Sequence, residues 1–181
     1  MRTAASPLGL TARSSHRESR RFLIRFSLLI VGFYLVLAWN PINDHVVVPF
    51  TEVVAGASAK LLRLLGEPVS AHGTTIHSPG FGVDVKNGCN GIEAVMLLAS
   101  AIVAYPASWR EKLAGLATGV AIVELLNLVR VTSLFWIGAH RPALFGTFHV
   151  AVWQSAIILL SVATFLIWSR RVARQSATAH R

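Results

Sequence analysis

Long apolar runs organise this chain. Residues 22–39 (FLIRFSLLIVGFYLVLAW), 89–105, 113–137 and 149–168 each approach the ~20 residues a helix needs to cross the ~30 Å hydrocarbon core of a bilayer. Each is predicted to be a membrane-spanning helix. Arg25 lies close enough to the end of the first run to snorkel into the interface. No small-residue cleavage site follows that run directly, so it reads as an anchor and not as a removable signal. The stretch 45–65 (HVVVPFTEVVAGASAKLLRLL) is of another kind, interrupted by Pro49, Glu52, Lys60 and Arg63. Its leucines alternate with charges, which suits a helix lying in the interface, although hydropathy alone would also allow a fifth crossing.

The polar segments complete the pattern. In residues 66–88, Thr74, Thr75 and Ile76, a Ser-Pro-Gly turn at 78–80 and the alternation Val83-Asp84-Val85-Lys86 predict a short β-hairpin. Residues 1–21 read as a disordered basic tail, and residues 169–181 as a second basic tail. The expected fold class is therefore an all-α polytopic membrane protein. It has about four transmembrane helices, an outer interfacial helix and a short extracytoplasmic β-hairpin, with residues 22–168 as one embedded domain.

Composition sharpens this. The chain is 54% hydrophobic and only 14% charged, well below the quarter or so of charged residues in soluble domains. The net charge of +9 comes from arginines that flank apolar runs, so it speaks for a membrane and against nucleic acid. Charge also orients the chain. With the N-terminus inside and 45–65 left outside, Arg2, Arg13, Arg17, Arg20, Arg21, Arg25, Arg110, Lys112, Arg170, Arg171, Arg174 and Arg181 lie on one side, twelve in all. Only Lys60, Arg63, Lys86 and Arg141 lie on the other. The positive-inside rule then predicts both termini in the cytosol.

Spacing brings candidate chemistry to one depth. Cys89 is twenty-one residues before Arg110, Arg130 is twenty after it, and His149 is twenty-one before Arg170. At ~1.5 Å per helical residue, each sits ~30 Å from the inner face. The three side chains should converge at the outer boundary. An ionisable residue inside a span, such as Arg130, is costly and points to function. A helix N-terminus and Arg130 would both favour a thiolate at Cys89, while His149 can take or give a proton near neutrality. A nucleophile, an acid/base and an electrostatic stabiliser together suit acyl transfer through a thioester.

Other polar residues surround this set. Asn127 and Glu124 lie at i−3 and i−6 from Arg130. They either orient its guanidinium or simply neutralise a buried charge. Glu93, at i+4 from Cys89, would oppose a thiolate as an anion and is better paired with Arg130 or another cation. Asn90 adjoins the thiol and is a further supporting candidate. His72, His77 and His140 also lie outside, but with Cys89 their spacings match no zinc-site pattern. No metal or cofactor is expected. The single cysteine allows no intramolecular disulfide.

"GCNGIEA" at 88–94, "NLVR" at 127–130 and a histidine opening the next span resemble the exosortase/archaeosortase family. These are polytopic membrane transpeptidases with invariant Cys, Arg and His. Asn90 stands where the usual family motif has serine, and the short chain resembles the compact exosortase H subgroup. The resemblance covers residues 85–155 well and says little about 1–65. It implies a cysteine transpeptidase of the bacterial inner membrane, with its active site facing the periplasm. Cys89 would form the acyl-thioester, Arg130 would donate a proton or polarise the carbonyl, and His149 would assist. Because arginine is almost never deprotonated, His149 is the better proton carrier. Its implied partners are secreted proteins anchored by a C-terminal sorting signal: a short motif of the Ile-Pro-Thr-Leu type, a hydrophobic helix and a basic cluster.

Without the resemblance, the rival classes are a small channel, a transporter or a haem-carrying subunit. Haem ligation wants paired histidines inside the bundle, and transport wants mid-membrane polar residues or an internal repeat. Neither pattern is present in the sequence. The predicted topology is directly testable. A membrane-impermeant maleimide added to intact spheroplasts should label Cys89, and labelling only after permeabilisation would mean that the orientation is inverted.

Overall fold

The computed structural model describes residues 7–179. Its elements are α1 (Pro7–Leu37), α2 (Asn40–Ile42), α3 (Val48–Leu64), β1 (Ser70–His72), β2 (Thr75–Ser78), β3 (Phe81–Asp84), α4 (Ile92–Ala104), α5 (Trp109–His140), α6 (Pro142–Thr147) and α7 (Gln154–Ala179). Widened π-helical turns at Asn43–Val47 and Phe148–Trp153 join α2 to α3 and α6 to α7. The protein is an all-α polytopic membrane protein carrying one small sheet.

α4 lies at the centre of the bundle, packed by α1, α5 and α7. Leu98 and Ile102 of α4 meet Val123 of α5, with Phe165 and Trp168 of α7 against them. Phe22 of α1 stacks on Phe165 with ring centroids 5.9 Å apart. The outward faces are apolar, as a lipid-facing surface requires: Leu28, Leu35, Leu125, Leu159 and Val150 are all more than 60% exposed. At the end of the bundle away from the sheet, Ser108 and Glu111 form a reciprocal capping box that starts α5. Lys112 donates to the carbonyl of Val103 at 2.7 Å and closes the end of α4.

A second layer is built on α3 and the sheet. Ala55, Ala59 and Leu62 of α3 pack on Ile76 and Val85 and on Val131 and Phe135 from the outer half of α5. The segment Asn40–Leu64 is long and apolar enough to cross a bilayer. Its packing partners, however, are β1, β2 and α5. The sheet is antiparallel in the order β1-β2-β3. Gly80, at φ +97°, makes the tight turn between β2 and β3.

The structure extends two expectations. The tail 1–21 is helical from Pro7 onward, while residues 1–6 lie outside the described residues. Once the apolar run has nucleated a helix, each further residue adds a hydrogen bond, and residues 16–21 contain no glycine or proline to stop it. The outer hairpin is the second half of a three-stranded sheet. β1 joins because Ser70, Ala71 and His72 pair with His77, Ile76 and Thr75.

Helix α5 approaches α7 closely at Gly115. A Cβ there would collide with the indole of Trp168, whose Nε1 donates to the Glu111 carbonyl at 3.2 Å. Gly115→Val should cost about 1–3 kcal/mol through overpacking. Thermal unfolding in detergent should show a lowered midpoint for it. Gly32→Ala, at a helical site where nothing lies within 4 Å, should hold or slightly raise the midpoint.

Candidate active site

The site forms where the sheet hands the chain back to the bundle. After β3, Val85 donates to Thr74 O, and Cys89 donates its N–H to Lys86 O at 2.9 Å in a turn. Glu93 reaches back from the first turn of α4 and accepts from Gly88 N–H at 2.8 Å. Asn90 is fully buried and ties two elements together. Its Nδ2 donates to Thr51 Oγ1 on α3 at 2.9 Å, and its Oδ1 accepts from Ile92 N–H at 3.2 Å. Asn87 adds a bond to Asn43 Oδ1 at 2.9 Å. The turn that carries the thiol is therefore held from both sides.

Gly91 makes this turn possible. It has φ +90°, which L side chains rarely adopt, and a Cβ there would come within 2.6 Å of Glu124 Oε1. Glu124 consequently lies against the N-terminus of α4, where a carboxylate is favoured. On α5, Glu124 is six residues below Arg130, or ~9 Å deeper.

Three predicted residues converge. Cys89 Sγ lies 3.0 Å from His149 Nε2 and 3.8 Å from an Arg130 amino group. Arg130 is only 2% exposed. Its NH1 donates to Gly88 O at 3.2 Å, and its NH2 donates to Gln154 Oε1 at 3.3 Å. The His149 ring stacks on Phe145, with centroids 5.7 Å apart, which fixes the plane of the imidazole. Cys89, Arg130 and His149 line one cavity of about 340 Å³, together with β3 and the apolar side chains of Val131, Leu134 and Phe145. A larger groove of about 810 Å³ between α3, α5 and α6 is lined by none of the three.

The supporting residues are placed otherwise than expected. Glu93 holds the turn and is not ion-paired with Arg130. Asn127 is fully buried, and no hydrogen bond or ion pair joins either Asn127 or Glu124 to the guanidinium among the described residues. Gln154 was missed by sequence reasoning and does contact it. The available signal was a lone amide in an apolar span, five residues after His149. A regular helix would turn positions i and i+5 apart. The π turn Phe148–Trp153 brings them toward one face.

Cys89 lies in the turn outside α4. Burial pushes its thiol above the ordinary range. The Arg130 charge pulls it down, and Glu93 pushes it up. His149 Nε2 stands within hydrogen-bond reach of the sulfur.

A model of the transmembrane exosortase family (Exosortase_EpsH) matches residues 18–169. This chain belongs to that family. No curated protein and no solved structure matches it. The match spans most of the chain, from the exposed end of α1 to α7, and so includes the sheet and the turn as well as the helices.

The thiol's titration gives a direct test of this exosortase site. Iodoacetamide alkylation of Cys89 should accelerate with pH through a midpoint above that of an ordinary free cysteine. Arg130→Gln removes the one cation that favours the thiolate, so the midpoint should move higher still. A profile unmoved by that change would mean that the guanidinium does not act on the sulfur.

Proposed function

We propose that this exosortase is a cysteine transpeptidase that cleaves C-terminal sorting signals of membrane-anchored secreted proteins. The observation that carries the reading is the 3.0 Å contact between Cys89 Sγ and His149 Nε2, with Arg130 beside the same sulfur. A thiol, an imidazole and a fixed cation at one cavity mouth are the parts that acyl transfer uses.

Each part has a step. As the sulfur attacks the scissile carbonyl carbon, His149 Nε2 takes the thiol proton. The carbonyl oxygen gains negative charge, which the Arg130 guanidinium stabilises. Arg130 does this without surrendering a proton, as its basicity dictates. His149 then gives its proton to the leaving amide nitrogen, and the C–N bond breaks. The substrate's N-terminal portion is left as a thioester on Cys89, and its hydrophobic tail departs. An acceptor amine or water attacks the thioester, with His149 again as base, and the thiol is restored.

The membrane setting supports the substrate class. With both termini cytosolic, the site lies at the periplasmic boundary of the inner membrane. A substrate anchored by one hydrophobic helix, with basic residues inside, would present its first outer residues at that depth. The acid/base pair and the fixed cation distinguish this reading from a channel or carrier, neither of which needs a thiol within 3.0 Å of an imidazole.

Co-expression with a candidate substrate and mass spectrometry of its new C-terminus test the reading. Cys89→Ala should abolish processing while the protein stays in the membrane, and Cys89→Ser should lose nearly all activity. Arg130→Lys keeps the charge but loses the planar fork that spans Gly88 O, Cys89 and Gln154, and activity should fall at least tenfold. Processing that survives Cys89→Ala would falsify the transpeptidase assignment.

A further inference from the structure

We propose that the substrate enters as an added β-strand on the free edge of β3, directly above Cys89. The inference rests on the transpeptidase reading and adds to it where and how the substrate binds.

β3 is an edge strand, since the sheet order is β1-β2-β3. Register decides which of its backbone groups are free. Val85 donates to Thr74 O at 3.0 Å and lies directly opposite it, so this is a hydrogen-bonded pair of the ladder. In an antiparallel ladder such pairs alternate. Val83 and Phe81 therefore turn their N–H and C=O toward β2, and Gly82 and Asp84 turn theirs away. Gly82 and Asp84 are both exposed.

The cavity identifies what lies beyond that edge. Residues 81–86 all line it in unbroken succession, together with Cys89, Arg130 and His149. Side chains alternate between the faces of a strand. A lining of six consecutive residues is possible only where the cavity lies against the edge of the strand and not against one face. Leu134, Val131 and Phe145, the last in ring contact with Phe81 at the outer end, also line it, giving an apolar surface for the alternate side chains of an extended chain. Backbone bonds along the edge with pockets for alternate side chains are the two requirements of strand addition.

Direction and length agree. Phe81 packs at the level of Gly138 and Phe135 on α5, and the chain then runs down to Cys89 beside Arg130. On α5, positions 130 and 138 are ~12 Å apart along the axis. At ~3.3 Å per residue, about four residues of an extended segment fit beside the strand. A substrate whose C-terminal helix enters the membrane also runs from outside inward, so it pairs parallel to β3 and delivers its scissile carbonyl to the sulfur. An edge strand leaves a row of backbone groups unpaired, and a bound strand satisfies them.

Paired substitutions isolate the backbone groups. Gly82→Pro and Asp84→Pro remove outward N–H groups without removing a ladder bond to β2. Gly82→Ala and Asp84→Ala make comparable side-chain changes and keep the N–H. Processing of a co-expressed, tail-anchored substrate is measured alongside iodoacetamide alkylation of Cys89, which reports an intact site without any substrate. Each proline variant should process at least tenfold more slowly than its alanine partner, with alkylation unchanged. Equal processing by proline and alanine variants overturns the inference and leaves the transpeptidase reading standing. If the prolines instead change only the oligomeric state, the edge pairs with a second copy of this chain, and the inference is likewise overturned. A wild type that leaves every tail uncut overturns the transpeptidase reading, and this inference falls with it.

Discussion

The burial of one guanidinium organises the site. Arg130 is almost inaccessible, and a charge so placed must find hydrogen-bond partners or forfeit its solvation. It finds them on separate pieces of the chain: the carbonyl of Gly88 in the turn, the sulfur of Cys89, and the amide of Gln154 on the last helix. Satisfying Arg130 therefore assembles the turn, α5 and α7 into one geometry. The cysteine and the histidine come into contact because the arginine requires both of their neighbours.

Much of this was legible in the sequence because a membrane is a ruler. Bilayer thickness and helix rise convert residue counts into depth, so Cys89, Arg130 and His149 could be placed at one level from their distances to Arg110 and Arg170. The apolar runs and the hairpin of Ser78 to Phe81 follow from equally simple periodicities. The match over residues 18–169 shows the family that the short motifs around those three residues resemble.

What was not legible depends on irregular backbone. Gln154 contacts Arg130 only because the helix widens at Phe148–Trp153, and no propensity scale marks a π turn. The start of α4 at Ile92, three residues beyond the thiol, depends on the left-handed conformation of Gly91 and on a glutamate from another helix. Glu93 spends its charge on a backbone N–H of the turn, a contact invisible until the turn exists. β1 lacks alternating apolar residues and was recruited by a neighbour. The burial of the thiol belongs to the whole assembly and not to its helix end.

The central helix has a consequence for solvent. α4 has 13 residues and so spans ~20 Å, about two thirds of the hydrocarbon thickness, while the helices around it run on past its end. A short core inside a taller wall makes a well. Its floor is the turn bearing Cys89, its rim is the sheet, and the surrounding helices hold lipid tails away. Such a well offers water a route to the thiol that does not pass through lipid.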